Sequence, residues 1–157
     1  MHSDEIAVPG SSALIKPATW RDLNELRRIE KICFPKDSWP IFDLIGVLTF
    51  PSVVRLKAVI DDHMVGFVAG DVRKSKKLAW IATICVLPLF RGQGIGGALL
   101  DACEERLNVP HVRLSVRATN MEAIQLYLNR GYQKVGLWKN YYGDGEDALV
   151  MEKELKL

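Results

Sequence analysis

From Leu14 onward, apolar positions recur with a period of two in some stretches and of three to four in others. Leu14 to Lys16 reads as a short strand. Thr19 and Asp22 have the spacing of a capping box, and the residues after them, Leu23, Leu26, Ile29 and Cys33, fall on one face of a helix. The loop CFPKDSWP, punctuated by Pro35 and Pro40, leads into IFDLIGVLTF, a second short helix that stops before Pro51. In VVRLKAVI, Val54, Leu56, Ala58 and Ile60 alternate with Arg55 and Lys57, as in a half-buried strand. MVGFVAGDV and LAWIATICV follow as two more strands, so residues 53–87 are predicted to form an antiparallel meander turning at DDH and at RKSKK. The basic RKSKK run reads as a solvated turn.

Past residue 88 the helical period returns. Ile95, Leu99, Ala102, Cys103 and Leu107 share a face until Asn108 and Pro110 stop the helix. HVRLSVR is a strand. Asn120 opens another helix, with Ile124, Tyr127 and Leu128 on one side and Gly131 as a left-handed cap. YQKVGLWKNYY and DALVMEKEL, flanking GDGE, are the last two strands. The order β-α-α-β-β-β-α-β-α-β-β predicts an α/β fold with a mixed sheet covered by helices. Residues 14–157 form one domain on this reading, and residues 1–13 a flexible lead-in.

Composition narrows the function. At 157 residues, 48% hydrophobic and 25% charged, the chain has the makeup of one soluble domain able to bury a core. A net charge of +2, with both signs dispersed, leaves no footprint for sequence-independent nucleic-acid binding. No stretch of 18 apolar residues and no basic leader are present, so neither a membrane nor export is implied, and a cytoplasmic location is expected. Cys33, Cys85 and Cys103 are far apart within apolar segments, which predicts buried free thiols. His2, His63 and His111 are scattered without ligand spacing, so no metal is expected.

The segment LFRGQGIGGALL places Gly92, Gly94, Gly96 and Gly97 at the head of a helix, where each interior glycine costs about 1 kcal/mol relative to alanine. Such a turn makes sense where an anion must approach backbone amides at a helix N-terminus. Gly92, Gly94 and Gly97 satisfy the letters of a dinucleotide fingerprint, but an antiparallel meander precedes them and no acidic residue lies in the following strand. A P-loop would need Lys and Ser or Thr after the glycines. A purely structural turn is the remaining plain alternative.

Arg91, Gly94 and Gly96, following IATICVLP, resemble the acyl-CoA signature R/Q-x-x-G-x-G/A of the GNAT N-acetyltransferase superfamily. The block LSVRATNMEAIQLYLNRGY is similar to that superfamily's protein N-terminal branch. KNYYGDGEDALVM and FPKDSW resemble the ribosomal-protein alanine N-acetyltransferases of the RimI type. The resemblance spans residues 14 to 155. It implies a GNAT acyl-CoA fold and acetyl-CoA as cosubstrate, with a protein or peptide N-terminus as acceptor, in a monomer or homodimer. It places backbone groups of Ile84, Cys85 and Val86 along the pantetheine arm, and Arg91, Gly92, Gln93, Gly94, Ile95, Gly96 and Gly97 around the pyrophosphate. Asn120 would contact the CoA arm, although capping its helix is an equally simple role. Tyr127 would face the CoA sulfur as general acid, against the alternative that it only fills the core. Phe34, Pro35, Trp39, Asn140, Tyr141 and Tyr142 would wall the acceptor groove.

The sequence departs from the family at one informative position. Ser115 stands where the family's L-E-V-R block has glutamate, and a hydroxyl is no general base near neutral pH. Three readings follow. Water held by Ser115 and Tyr141 relays the proton to a carboxylate such as Asp37, Glu122 or Asp144. An α-amine, with pKa about 7.7 to 8.0 against about 10.4 for lysine, needs little base. Or the protein binds acyl-CoA without transferring it. A small-molecule amine acetyltransferase would share the CoA site and differ in its loops.

Overall fold

A computed structural model of the chain describes residues 4–156. The first three residues of the segment expected to be flexible, His2 among them, therefore lie outside the described residues. Strands are β1 (Ile6–Ala7), β2 (Leu14–Pro17), β3 (Val53–Ile60), β4 (His63–Arg73), β5 (Leu78–Val86), β6 (His111–Arg117), β7 (Gln133–Trp138) and β8 (Ala148–Glu154). Helices are α1 (Leu23–Cys33), α2 (Ile41–Thr49), α3 (Ile95–Leu107) and α4 (Met121–Asn129). The sheet order is β1-β2-β3-β4-β5-β6-β8-β7, with every pairing antiparallel except β5 with β6.

Local chemistry explains most boundaries. The Asp22 carboxylate accepts from the Thr19 N–H at 2.8 Å and the Thr19 hydroxyl from the Arg21 N–H at 3.3 Å. This box caps a 3-10 turn over Trp20–Asp22, and α1 begins one residue later. Asp61 and Asp62, at φ 50° and 63°, make the tight β3–β4 turn. Asn108 in the left-handed region closes α3, and Gly131 at φ 93° follows α4.

Two boundaries differ from the sequence expectation. Part of the lead-in is ordered structure: Ile6 pairs with Ile15, while Val8 and Ala13 are buried. At the other end β7 stops at Trp138, because Asn140 turns at φ 53° and donates its N–H to Asp147 Oδ1 at 2.9 Å.

The sheet separates two apolar cores. One holds Leu99, Leu100, Cys103, Leu114, Val116, Ile124 and Tyr127 beneath α3 and α4; the other holds Leu26, Ile29, Leu44, Phe67 and Cys85 beneath α1 and α2. β4 runs through the middle, buried continuously from Met64 to Gly70, as a strand covered on both faces must be. Helix α3 lies close to it because Gly66 and Gly70 have no side chains: a Cβ on Gly66 would come within 3.0 Å of Leu99. Leu99→Ala, at a fully buried position, is therefore expected to cost about 2–5 kcal/mol, read as a lower midpoint in urea denaturation.

The feature that makes room for chemistry is a broken pairing. β5 and β6 pair only over Leu78 to Trp80, opposite His111 to Arg113. Against β4, the register of β5 slips between Ile81 and Thr83, leaving Ala82 as an extra residue. Bulges bend and twist the strand that carries them. This one lies immediately beyond the last β5–β6 pair, and the two strands diverge from there.

Candidate active site

Beyond Trp80, the side of β5 that faces β6 has no strand partner among the described residues. Leu87 donates to the Val65 carbonyl at 2.8 Å. Alternation along an antiparallel ladder then turns the N–H and C=O of Cys85 toward β4, and those of Ile84 and Val86 into the gap. The expectation for this strand is thus corrected at Cys85, whose backbone groups face Phe67 rather than the cleft. Val86 is partly engaged as well, since its carbonyl accepts from Arg91 Nε at 2.9 Å.

The glycine turn closes one end of this gap. Gly92 and Gly94 have φ of 81° and 82°, a region where any side chain costs about 1–2 kcal/mol. Gly94 is the N-cap of α3, and a Cβ on either residue would meet nothing within 4 Å. Arg91, Gly92, Gln93 and Gly94 are exposed, whereas the Ile95 side chain is buried in the core. Gly96 packs toward Val86, where a Cβ would lie 3.6 Å from its side chain. Gly97 has a different reason. Arg130 crosses over it from α4, with Nε 3.3 Å from the Gly97 carbonyl and 3.1 Å from Asp101, so Gly97 serves helix packing. The geometry suits a pyrophosphate at the positive end of the α3 dipole.

Tyr127 reaches the cleft from the α3/α4 side and is buried to 6% exposure. Burial raises its pKa, and the nearby Tyr142 and Cys85 push the same way, so the phenol stays protonated. Asn120 Oδ1 accepts from the Ala123 N–H at 3.2 Å, which makes it the N-cap of α4, and the residue is exposed.

The opposite face of the sheet carries a different surface. Val112, Leu114 and Val116 enter the core under α3 and α4, so alternation puts Arg113, Ser115 and Arg117 on the other side. Arg117 gathers two loops: it bonds Asp37 through both Nε and Nη2 at 2.8 Å, Asp144 at 2.9 Å and Glu146 at 2.6 Å. Its guanidinium also lies over the Tyr142 ring, 4.2 Å from the centroid. Burial opposes the Arg117 charge, but the three carboxylates outweigh it and hold the group protonated. Asp144 is kept below the usual carboxylate range by the Glu146 N–H and by Arg117, and Glu146 by Thr119 and Arg117. Asp37 and Asp144 are consequently tied up in ion pairs rather than free to receive a proton by way of Ser115. Glu122 is exposed in the first turn of α4, under the other face.

Aromatic rings continue the surface. Trp80 stacks on Trp138 at 5.7 Å between centroids, Trp138 meets Tyr141 at 5.1 Å, and Tyr141 meets Tyr142 edge-on at 5.1 Å. The sequence reading named Tyr141 and Tyr142 but missed both tryptophans, which are distant in sequence and brought together by the sheet. Phe34 and Trp39 are half-buried against the α1/α2 core, Pro35 is exposed beside them, and Asn140 is exposed at the turn after β7.

One further group is absent from the sequence reading. Among the described residues two polar side chains are buried, Glu30 at 1% exposure and Thr83 at 7%. Neither carboxylate oxygen of Glu30 completes a hydrogen bond of good geometry. Burial pushes its pKa up to about 7, only partly offset by the Trp39 N–H and the Thr83 hydroxyl beside it. Cys33, expected to be buried, is half-buried and in contact with Cys85. That contact lowers the Cys33 pKa and, with burial, raises that of Cys85. A hollow of about 150 Å³ lies at Trp20 and Ile45, and one of about 460 Å³ at Arg28 and His63 reaches Leu87 and Phe90, between the end of β5 and the glycine turn.

A family model for the acetyltransferase (GNAT) family matches residues 20–132. The chain belongs to the GNAT acetyltransferases. It is 41% identical over 150 residues to a Bacillus subtilis protein provisionally named a [ribosomal protein bS18]-alanine N-acetyltransferase, covering 90% of this chain and 95% of that one. It is 29% identical over 163 residues to an N-alpha-acetyltransferase of Sulfurisphaera tokodaii, covering 95% and 97%. The crystal structure of the ribosomal-protein-S18-alanine N-acetyltransferase from Escherichia coli shares the fold at a TM-score of 0.84 and 26% identity, over 92% of this chain and 95% of that one. As a GNAT acetyltransferase the protein is an enzyme of acetyl transfer to an amine, and its mixed sheet is the family's fold. Among the described residues no helix is long and apolar enough to cross a membrane, and no group of three or more His, Cys, Asp or Glu is placed to hold a metal.

Proposed function

We propose that the protein transfers the acetyl group of acetyl-CoA to the α-amino group of a protein N-terminus, in the cytoplasm and without a metal. The observation that carries this reading is the unpaired stretch of β5 and β6 beyond Trp80, with different chemistry on the two faces of the sheet. On the α3/α4 side lie the exposed glycine turn of residues 91–94, the unpaired edge of β5 at Ile84, and Tyr127. On the other side lie Ser115, the aromatic series from Trp80 to Tyr142 and the Arg117 cluster. The names of the Bacillus subtilis and Sulfurisphaera tokodaii relatives point the same way.

In this reading the pantetheine arm adds to the edge of β5 as an extra strand would, and the pyrophosphate rests on the turn before α3. The peptide enters along the aromatic wall, with its backbone against the loop of Phe34, Pro35 and Trp39 and the loop of Asn140, Tyr141 and Tyr142. The cluster of Asp37, Asp144 and Glu146 outnumbers its Arg117 and Lys36 partners by one charge, which favours a cationic N-terminus. The amine attacks the thioester carbonyl, the C–N bond forms, the C–S bond breaks, and the departing thiolate takes the Tyr127 proton. A phenol with its pKa raised above about 10 gives that proton up only to a nascent anion held beside it.

The test is mass spectrometry of peptides incubated with acetyl-CoA at pH 7: one with a free α-amine and no lysine, one with lysine and a blocked N-terminus. Acetylation of the first with the second nearly untouched is expected. Modification of lysine alone, or of a small amine with neither peptide modified, would overturn the acceptor assignment.

A further inference from the structure

The family's glutamate on β6 is replaced by Ser115, and the carboxylates around Arg117 are already paired. The first ammonium proton still needs a destination. We propose that Glu30 of α1, through the hydroxyl of Thr83, is the proton acceptor for the incoming amine, doing from the helix what the missing β6 glutamate would do from the strand. The inference rests on the proposed acetyl transfer and deepens it.

Three observations place Glu30 there. First, the two buried polar side chains among the described residues are neighbours, and Thr83 lies on β5 beyond the point where pairing with β6 ends. Thr83 also adjoins Ile84, whose backbone faces the gap. Second, the end of α1 is docked against this part of β5: Cys33 Sγ donates to the Val86 carbonyl at 3.5 Å, and the Trp39 N–H roofs Glu30 from the α1–α2 loop. Third, Cys85 of β5 packs in the α1/α2 core with Ile29, the neighbour of Glu30 in the chain, while Tyr127 is buried in the core on the other face of the sheet. The carboxyl and the phenol thus flank the same end of β5, one on each face of the sheet. A base on the acceptor side and an acid on the thioester side is the arrangement the reaction needs.

A carboxylate whose two oxygens complete no hydrogen bond of good geometry is expensive to bury, and among the described residues no ion pair compensates it. The titratable groups facing it are the thiols of Cys33 on α1 and Cys85 on β5, with Arg91 on the far side of Cys33. β4 and α2 contribute apolar side chains such as Phe67, Ala69, Leu44 and Leu48 to the surrounding core. The proton balance closes. The ammonium gives one proton to Glu30 by way of Thr83, and Glu30 releases it to solvent after turnover. The C–N bond forms and the C–S bond breaks. The thiolate takes the proton of Tyr127, and the second nitrogen proton returns through solvent to the phenolate.

The experiment is kcat/KM against pH from 5.5 to 9.5, on an α-amine peptide, for the wild type, Glu30→Gln and Glu30→Asp, with acetyl-CoA affinity measured alongside. The wild type should rise through a midpoint near pH 7. Glu30→Gln should lose about 10²-fold at pH 7, its profile following the amine's own titration toward about pH 8, with acetyl-CoA affinity unchanged. Glu30→Asp should keep the lower midpoint at a reduced rate. Folding is checked independently. The folded protein holds the Glu30 proton more tightly than the unfolded chain between the ordinary 4.5 and about 7, so stability falls as pH rises through that window. Glu30→Gln should therefore melt no lower than the wild type above pH 7. A Glu30→Gln enzyme within about threefold of wild type and with the same midpoint overturns the proposal. So does a folded Glu30→Asp enzyme lacking that midpoint. The variant-to-wild-type ratio can be taken on any amine the protein acetylates, so failure here and failure of the N-terminal assignment are read separately.

Discussion

Acetyl-CoA at a hundred times its Kd is expected to stabilise the wild type by about 2.7 kcal/mol, and Gly94→Glu to abolish the effect. For a chain of this size each kcal/mol moves Tm by roughly 2–4 °C, so the wild type should gain about 5–10 °C. NAD and ATP at the same concentration should add little. Gly94 caps α3 at φ 82° with open space where its side chain would begin. A glutamate there puts a negative charge where the pyrophosphate is to sit and reverses the attraction of the helix dipole. Gly94→Ala supplies the control, because it carries the left-handed backbone cost without the charge. Its apo protein should melt somewhat lower while keeping most of the ligand response. An undiminished acetyl-CoA response in Gly94→Glu would move the pyrophosphate off this turn.

Tyr127→Phe is expected to lower kcat by about 10²-fold, toward the lower end of what proton transfer contributes, with the acetyl-CoA response and Tm nearly unchanged. The substitution keeps the ring that packs beside Tyr132 at 5.8 Å and removes only the hydroxyl. Steady-state rates normalised to folded protein check it. Reduced stability with unchanged turnover would make Tyr127 a packing residue, the alternative its place among Ile124 and Leu128 always allowed.

The parts of the fold that were legible are those whose periodicity is long and whose ends are marked chemically. LAWIATICV alternates over nine residues and is a strand of nine. HVRLSVR is a strand over all seven. Thr19, Asn108 and Gly131 punctuate helices through mechanisms visible in the residue types themselves. Ile6 and Ala7 carry no period in a two-residue strand, and their order comes from pairing with Ile15 and Leu14 across a turn. The β7 end was misjudged because Tyr141 and Tyr142 look like strand residues, and nothing in their identity discloses the left-handed turn at Asn140.

Legibility of the site divides along similar lines. The glycine turn, Tyr127 and the two loops announce themselves through motif resemblance. The cleft itself cannot be read, because a bulge at Ala82 and the length of the β5–β6 pairing are properties of two strands together. Trp80 and Trp138 are missed for that reason. Glu30 is missed for another: on a helix whose apolar stripe includes Leu26 and Ile29, a neighbouring charge is assigned to solvent. The available signal was its spacing of four from Leu26, which turns it toward the covered face.

Arg117 joins Asp37 of the α1–α2 loop to Asp144 and Glu146 of the β7–β8 loop. The two segments lie more than a hundred positions apart in the chain, yet one guanidinium holds them together. A chimera that imports one loop from a relative leaves the guanidinium short of a partner or leaves carboxylates facing one another. An engineered change of these loops is therefore expected to keep the protein folded when both are exchanged together, or when ring identities change while the clasp is kept.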